Sequence, residues 1–502
     1  MEAVTRRFLE YVRIDTRSVQ PTPGKEQIHP SSIGQHVLAD MLKTELIEMG
    51  VSKHLIRSLD DGSFLVFFPP IGDCEKAPHV VLAAHVDTYF GCPGGAKPIL
   101  QHPYKDGDIH LPKDDVIIPA SDLVGLEGKR IITASGDTLL GGDDKAGVAA
   151  LMTLIESMLK CSYDHGPLTF WFCTDEEIGE VGVKFLPPGT AEKWDFLWTV
   201  DGERLDVVDI GCFYGSEMNL VFTGDQEKPA HYAACGFVAA LAKQPTPWTT
   251  KGEESFLYVP ALGKWTASES IVTLDPEAAL LDADTVKHFA DCAASDFGVK
   301  VQISDDSRSV KFTGNDAHPG VDGQKLKPAH YAACKFVHLL AMNTTGEQKT
   351  LCVKELPGEC TAEKTLVKVY PRTFIQGEIP TLGDTIRRTA MVAAKVYDAS
   401  VDAPDPKMLY VSTEVAIDAK RDLLQPGLDA LKRFGIEAKL HRVRAGTDGA
   451  MLNMTYPNIP APNFGTGGRN LHGFREFVVV DELELVPHVL GDMIMRYADI
   501  KR

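Results

Sequence analysis

Continuous apolar runs that lead directly into polar residues are the main pattern in the first 200 residues. Three such runs, at residues 80–84, 168–172 and 196–200, precede acidic or histidine side chains. Apolar runs of this length are typical of strands buried on both faces, as in a parallel sheet covered by helices. The stretch 148–159 has the length and composition of a crossover helix. The pattern predicts an α/β domain whose parallel strands end in polar side chains.

The polar residues that follow these runs suit a pair of divalent cations. In open α/β sheets, ligands bind beyond the carboxyl ends of the strands. Carboxylates and neutral imidazoles suit zinc, cobalt or manganese, and no cysteine lies among them. Two cations need one shared anionic bridge and two further ligands each. The residues that supply this count are His85, Asp143 (the natural bridge), Glu177, Asp201 and His472.

Two further acids lie beside these candidate ligands. Asp87 is two residues from His85, a spacing that lets it fix the imidazole, and Glu176 is available as a proton shuttle. Taken singly, each motif also has an ordinary interpretation as a solvated turn, a helix cap or a surface histidine. The prediction of a metal site therefore depends on the occurrence of all these motifs together, mostly at predicted strand ends.

Composition narrows the class of protein. The 502 residues include 51 Lys and Arg against 70 Asp and Glu, a net charge of −19, which argues against nucleic acid as the main partner. No apolar run approaches the roughly 18–20 residues needed to cross a bilayer, so no membrane partner is expected. None of the ten cysteines forms a CxxC pair, which predicts buried thiols in a reducing, cytoplasmic environment.

Six segments resemble the peptidase T family of two-zinc exopeptidases, whose wider group includes bacterial dipeptidases, carboxypeptidase G and aminoacylases. The resemblance implies a mixed, mostly parallel sheet with helices on both faces, built from residues 1–212 and 416–502. It also implies two Zn²⁺ per chain, with Co²⁺ or Mn²⁺ as alternatives. The six segments are AAHVDT at 83–88, GDTLLGGDDKAGVAALM at 136–152, CTDEEIG at 173–179, TVDGE at 199–203, RAGTDGAMLN at 444–453 and NFGTGGRNLHGFREFV at 463–478.

The same resemblance implies a role for each candidate. The implied roles are His85 and Asp201 on one zinc, Glu177 and His472 on the other, Asp143 bridging both, Asp87 orienting His85, and Glu176 as general base and acid. This set agrees with the set obtained by counting ligands.

An internal repeat lies between the two catalytic segments. The motif KPAHYAAC at residues 228–235 recurs at 327–334. The family carries a small ferredoxin-like lid at this place, and the resemblance implies that the α+β lid is present twice, as copy 1 at 213–311 and copy 2 at 312–415. The alternative of two unrelated amphipathic helices does not explain the shared motif.

The two predicted copies differ in their candidate anion binders. Copy 2 has His318 in a loop that resembles the family's lid motif, and copy 1 lacks that loop. Arg372 of copy 2 aligns with Glu277 of copy 1. We therefore predict a monomer in which copy 1 replaces a dimer contact and copy 2 delivers His318 to the site, with a dimer as the alternative. Arg444 is the better candidate for the substrate carboxylate, which a guanidinium binds bidentately.

These features predict a metal-dependent aminopeptidase that hydrolyses small peptides, tripeptides above all. A dipeptidase or a deacylase of the same family is the alternative enzyme. A non-catalytic peptide-binding paralogue is disfavoured, because all five candidate ligands and Glu176 are present.

Overall fold

The chain divides into two compact units. Unit 1 comprises Met1–Cys212 and Ser412–Arg502, and unit 2 comprises Phe213–Val411. The computed structural model describes residues 2–22, 27–101, 103–113, 115–161, 163–251, 255–275, 282–317, 319–320, 323–343, 353, 356–358 and 360–501.

Helices and strands alternate through most of these residues. In chain order, the helices are α1 (Ala3–Tyr11), α2 (Ile33–Glu48), α3 (Gly142–Lys160), α4 (Ala230–Leu241), α5 (Ala283–Phe297), α6 (Ala329–Asn343), α7 (Ile379–Val396), α8 (Glu414–Ala419), α9 (Gln425–Arg433), α10 (Asp448–Thr455), α11 (Val480–Leu483) and α12 (Val486–Ala498). The strands are β1 (Ile56–Ser58), β2 (Phe64–Phe68), β3 (Val80–His85), β4 (Ile99–Leu100), β5 (Ile109–His110), β6 (Ile117–Ile118), β7 (Ile131–Thr133), β8 (Leu168–Cys173), β9 (Phe196–Gly202), β10 (Val207–Cys212), β11 (Tyr214–Thr223), β12 (Phe256–Tyr258), β13 (Glu269–Thr273), β14 (Lys300–Ile303), β15 (Ser309–Thr313), β16 (Lys364–Thr373), β17 (Ser400–Asp402), β18 (Lys407–Tyr410), β19 (Lys439–Val443), β20 (Asn463–Gly465), β21 (Gly468–Arg469) and β22 (Phe477–Val479).

An eight-stranded sheet forms the centre of unit 1. Its order is β1-β2-β8-β3-β9-β20-β10-β19. The central strands β8, β3, β9 and β20 run parallel to their neighbours in this group, and β19 runs parallel to β10. Antiparallel pairs join β1 to β2, β2 to β8 and β10 to β20. The predicted α/β fold with a mixed, mostly parallel sheet is confirmed.

Strand β8 shows why the apolar runs are continuous. Phe170 and Phe172 lie in the same buried cluster as side chains of α1, α3 and α12, whereas Trp171 and Cys173 lie in a second cluster that includes Leu452 of α10. Successive side chains of a strand point to opposite faces, so a sheet covered on both faces requires apolar residues at every position. Burial of each large apolar side chain contributes about 1.5–3 kcal/mol to folding.

The parallel strands bring their carboxyl ends to one edge of the sheet. His85 of β3 lies opposite Cys173 of β8, and Ala83 of β3 lies opposite Thr199 of β9. Residues that follow these positions, including Asp87, therefore emerge at the same edge. This edge carries the candidate ligands.

The hydropathy of the helices and the state of the cysteines can both be compared with the sequence analysis. Within the described residues, no helix is both long enough and apolar enough to span a bilayer. The nine cysteines of that part form no disulfide, and seven of them are buried.

Unit 2 contains two antiparallel sheets. The larger has the order β12-β16-β11-β17, with β18 also paired to β11, and the smaller has the order β13-β15-β14. Helices α4 and α7 pack on the larger sheet, and α5 and α6 pack on the smaller. Helices α4 and α6 also pack against each other.

The two sheets do not follow the predicted copies at 213–311 and 312–415. Strand β11 of the first copy pairs with β16 and β17 of the second, and β15, which spans the predicted boundary and carries the second copy's equivalent of the end of β11, pairs with β13 and β14 of the first. A boundary between 311 and 312 therefore does not separate two folded units, because the copies exchange their first strands. The equivalent pairs are Phe222 with Thr365 and Val401, and Phe312 with Ser270 and Val301.

The repeated motif KPAHYAAC joins the two copies. Its His and Tyr side chains are buried in both copies and reach the backbone of a valine in the other copy. Each valine carbonyl accepts from a histidine, and each valine N–H donates to a tyrosine. The four bonds are His231 Nε2 to Val353 O (2.7 Å), Val353 N to Tyr232 Oη (3.0 Å), His330 Nε2 to Val259 O (2.7 Å) and Val259 N to Tyr331 Oη (3.1 Å).

Candidate active site and metal centre

Three of the predicted ligands meet at the carboxyl edge of the unit 1 sheet. His85 ends β3, Asp201 lies near the end of β9, and Asp143 lies at the start of α3. His85 Nε2 lies 2.8 Å from Asp143 Oδ1 and 3.3 Å from Asp201 Oδ1. The imidazole nitrogen therefore faces two carboxylates at once.

The other two predicted ligands meet the opposite side of Asp143. His472 Nε2 lies 3.0 Å from Asp143 Oδ2 and 3.0 Å from Glu177 Oε2. Asp143 thus contacts one histidine through each of its two oxygens. All five predicted ligands converge, with Asp143 at the centre.

The donor set fits a pair of divalent cations. Ligand atoms of His85, Asp143 and Glu177 lie within 4.8 Å of one another. Glu177 Oε1 is buried without a hydrogen-bond partner among the described residues, an arrangement that costs free energy unless a cation or proton satisfies it. Imidazole nitrogens and carboxylate oxygens are the donors that zinc, cobalt and manganese accept.

The close approach of these charged groups shifts the pKa values of His85, His472 and Asp201. Burial disfavours the charged form of His85, but Asp201 and Asp143 outweigh burial and raise the pKa of His85 well above its usual range. The pKa of His472 is raised in the same way, by Glu177 and Asp143 against burial. Burial and the charge of Asp143 raise the pKa of Asp201 to about 8. A cation between these groups would remove the need for the protons.

Asp144 is an acidic neighbour that the sequence analysis left without a role. Ligand atoms of Asp144, His85 and Asp201 lie within 4.8 Å of one another. However, Asp144 Oδ2 accepts from the backbone N–H of His85 (3.2 Å), and Oδ1 accepts from the N–H of Gly147 (3.1 Å). Both oxygens of Asp144 are therefore engaged, and the side chain ties the end of β3 to the start of α3.

Asp87 lies beside His85, and its contacts extend further than the spacing alone predicts. His85 Nδ1 lies 3.1 Å from the carbonyl of Asp87 and 3.3 Å from its Oδ1. The carboxylate also accepts from the backbone N–H groups of Glu176 and Glu177, both at 3.1 Å, and from Ser18 Oγ. Asp87 therefore couples the orientation of the imidazole to the backbone that carries both glutamates.

Asp175 is a second acidic residue that the sequence analysis did not single out. It is buried, has a φ of 54°, and its carboxylate accepts from the Ser31 N–H (2.8 Å) and from Gln35 Nε2 (2.7 Å). Its Oδ2 also lies 2.6 Å from His29 Nδ1. These contacts hold a left-handed backbone residue that precedes Glu176, a conformation that costs about 1–3 kcal/mol for a non-glycine residue.

Glu176 is half-buried beside the predicted ligands. Burial raises the pKa of Glu176 well above its usual range; the charge of His85 opposes the rise, and that of Asp201 adds to it. A carboxyl group with a raised pKa can accept and return a proton near neutral pH.

Glu476 also has a role that the sequence analysis missed. It is buried, and its carboxylate accepts from the N–H of Gly141 (2.7 Å) and from the N–H of Asp143 (3.1 Å). It thereby fixes the backbone that carries the central carboxylate. Its place four residues after His472, directly before the apolar residues of β22, was the available signal.

The three predicted substrate-binding residues lie in different parts of the chain, and the structure describes two of them. His318 lies outside the described residues. Arg372 lies on β16 of unit 2, where its Nη1 donates to the carbonyl of Ser216 (2.7 Å) and its guanidinium lies 5.1 Å from the ring centroid of Tyr370. Arg444 directly follows β19. That strand runs opposite to β3, β8 and β9, so its end alone does not bring Arg444 to the ligand edge.

Comparison with known proteins identifies relatives along nearly the whole chain. A model described as peptidase family M20/M25/M40 matches residues 141–496. A peptidase T of Clostridium perfringens is 26% identical over 509 aligned residues, covering 99% of this chain and 100% of that protein. A peptidase T of Vibrio cholerae is 27% identical over 506 residues, covering 98% and 97%.

Solved structures show the same fold. A tripeptidase from Staphylococcus aureus has a TM-score of 0.60 and 16% identity, covering 99% of this chain and 98% of that chain. The aminopeptidase PepT from Bacillus cereus has a TM-score of 0.59 and 15% identity, with coverages of 99% and 98%. The resemblance predicted from the six sequence segments is confirmed.

Proposed function

Because this chain belongs to peptidase family M20/M25/M40, we propose that it is a metal-dependent aminopeptidase. Its proposed reaction is removal of the N-terminal residue from small peptides, tripeptides above all. The observation that carries the proposal is the position of Asp143, whose two oxygens contact two histidines that each contact a further carboxylate. Curated relatives named peptidase T support the choice of an aminopeptidase.

We propose that these five side chains hold two divalent cations. His85 and Asp201 would hold one, Glu177 and His472 the other, and Asp143 both. Zinc suits the nitrogen and oxygen donors, and cobalt or manganese could replace it. When bound, such ions polarise a carbonyl oxygen and lower the pKa of a bound water from about 15.7 to about 7.

Glu176 is the proposed general base and general acid. Its carboxylate would take a proton from the attacking water as the water adds to the carbonyl carbon of the first peptide bond. The same carboxyl group would then return the proton to the amine that leaves. Asp87 would keep Glu176 in place, because it accepts from the backbone N–H of this residue at 3.1 Å.

Three residues are proposed to bind the terminal carboxylate and the reacting carbonyl of the peptide. Arg444 and Arg372 are the candidates for the terminal carboxylate, since a guanidinium matches it bidentately. His318 is the candidate that holds the developing negative charge on the carbonyl oxygen. Separate replacement of each arginine by lysine, with KM measured for a tripeptide and its C-terminal amide, identifies the carboxylate binder. The variant that lacks the carboxylate-binding arginine should lose the preference for the free tripeptide over its C-terminal amide.

Unit 2 is proposed to form two intertwined ferredoxin-like lids within one chain. The exchange of β11 and β15 between the copies supports this arrangement. Such an internal pair would take the place of a contact between two subunits, so we propose a monomer. Light scattering on the intact protein tests this, and an obligate dimer with active sites shared between subunits would contradict it. The described cysteines, which form no disulfide with one another, support a proposed location in the reducing cytoplasm.

A peptide panel tests the proposed activity. The assay compares dipeptides, tripeptides and tetrapeptides, each with a free or acetylated N-terminus, and detects the released residue by mass spectrometry. We expect cleavage of free tripeptides, loss of activity after treatment with a chelator, and recovery on addition of zinc. Cleavage of acetylated peptides would favour a deacylase or carboxypeptidase, and a preference for dipeptides would favour a dipeptidase. Peptide binding without cleavage by the zinc-loaded protein would indicate a non-catalytic paralogue.

A further inference from the structure

Resting on the proposed function, we propose that Tyr89 is a positioning residue for the second metal site. Its ring holds the imidazole of His472 in the orientation in which Nε2 faces Asp143 and Glu177. The short segment Tyr89–Cys92 acts with it, and we refer to this segment as the His472 clamp. It directly follows the residues that place His85, so one stretch of chain would align a ligand of each cation.

His472 needs an external support that His85 does not need. His85 is the last residue of a central strand, and its side chain is 2% exposed. His472 lies in the connection between β21 and β22, and its side chain is 32% exposed. Asn470 and His472 have φ values of 52° and 63°, a region that non-glycine residues adopt uncommonly.

The ring of Tyr89 supplies a contact that fixes the imidazole plane. The centroids of the Tyr89 and His472 rings are 4.5 Å apart, and the ring planes differ by 8°. A stacked neighbour restricts rotation of the imidazole about its Cβ–Cγ bond, because rotation would drive the edge of the imidazole into the tyrosine ring. The direction of Nε2 towards the two carboxylates is fixed as a result.

The rest of the clamp keeps this stack in place. A Cβ atom at Gly91 would lie 2.4 Å from Cε1 of Tyr89, so the ring occupies space that any other residue at 91 would fill. Phe90 contacts Tyr89, and the centroids of the two rings are 4.6 Å apart. Cys92 Sγ lies 3.8 Å from the carbonyl oxygen of His472, to which it donates. The clamp therefore contacts both the side chain and the backbone of His472.

Metal titration tests the proposal directly. Metal-depleted protein is titrated with Zn²⁺ by calorimetry, comparing the wild type with Tyr89→Ala, Tyr89→Phe and Gly91→Ala. We expect Tyr89→Ala and Gly91→Ala to weaken binding of one of the two ions by about 10–100-fold, the range seen when a group that supports a metal ligand is removed. Binding of the other ion should be unchanged. Tyr89→Phe keeps the stacked ring and should bind both ions as the wild type does.

Two comparisons keep the result interpretable. Phe67→Ala, which removes an exposed aromatic side chain of β2 in the same unit, should leave both zinc affinities unchanged, and thermal melting checks that each variant is folded. Unchanged zinc binding by Tyr89→Ala, with only a raised KM for tripeptides, would overturn the proposal and make Tyr89 a substrate contact. Equal weakening by Tyr89→Phe would also overturn it, because the hydroxyl would then act. The titration does not require turnover, so failure to cleave tripeptides would contradict the proposed function alone.

Discussion

Unit 1 and unit 2 assemble their important side chains in different ways. In unit 1, parallel strands such as β3 and β9 end at one edge of the sheet. Residues at their ends, such as His85 and Asp201, therefore converge because of strand direction alone. In unit 2, the repeated histidines and tyrosines converge on Val259 and Val353 because two copies of one sequence exchange strands. The first arrangement can be predicted from local pattern, and the second cannot.

The reason lies in the number of partners that each strand could accept. Strands β3, β8 and β9 have distinct sequences and one set of covering helices. Strands β11 and β15 both end in Phe-Thr and are followed by a glycine, and their phenylalanines occupy equivalent positions in the two sheets. Either strand satisfies the alternation of buried and exposed positions in either sheet, so the pattern alone does not determine which pairing forms.

The largest expected effect tests the dependence of the unit 1 site on one shared side chain. Asp143→Asn should lower the zinc content from two ions to at most one and reduce tripeptide hydrolysis by at least about 10³-fold, since metal ions supply several kcal/mol to such reactions. Elemental analysis and an aminopeptidase assay measure the two quantities. Asp137→Asn, which removes a carboxylate that meets Lys113 at the surface, is the matched control. Retention of both ions by Asp143→Asn would refute the shared role.

The next effect separates proton transfer from metal binding. Glu176→Gln should lower kcat by about 10²–10⁴-fold, the usual contribution of a general base, and leave the zinc content at the wild-type value. The exposed Glu192 provides a control through Glu192→Gln, which should have full activity. Wild-type kcat in Glu176→Gln would show that another group takes the proton.

Acid should destabilise unit 2 through His330. Burial lowers the pKa of His330 to about 4, whereas its ordinary value is 6.5. Between these values the unfolded chain binds a proton that the folded chain does not, so stability falls as pH falls from 6.5 to 4, by up to about 3 kcal/mol. Calorimetric melting between pH 7.5 and 4.5 should show a smaller acid-dependent loss in His330→Gln than in the wild type. The exposed His288 provides the control His288→Gln, and equal slopes for all three proteins would contradict the assignment.

The smallest effect tests whether the two copies are equivalent. Tyr331→Phe and Tyr232→Phe each leave a buried valine N–H without its acceptor, which should cost about 1–3 kcal/mol. The melting temperatures of the two variants should fall by similar amounts. A large loss in one variant and none in the other would show that the internal interface is not symmetric.

The sequence identified five candidate ligands in unit 1 because each of them lies at or next to a buried strand or a recognisable turn. His85, Asp143, Glu177, Asp201 and His472 converge in the structure as the ligand count required. The supporting residues were harder to predict. Asp175, Glu476 and Tyr89 act through backbone amides or a ring face, and such contacts depend on loop conformations that leave no periodic pattern in the sequence.

The copies in unit 2 were found from repetition, but their pairing was not. The motif KPAHYAAC indicated two copies of one unit, and it lies at the start of α4 in the first copy and of α6 in the second. Their histidines and tyrosines proved to hold the opposite copy and not their own, which no local rule distinguishes.

The exchange of strands also sets an order of events during synthesis on the ribosome. The smaller sheet can close once the residues from β13 to α6 have been made, since its strands are close in sequence. Strand β11 leaves the ribosome earlier, yet its partner β16 is translated only after that entire sheet and α6. The nascent chain therefore carries β11 without its partner β16 for most of the time that unit 2 is being translated, and an unpaired strand edge of this kind needs protection from aggregation.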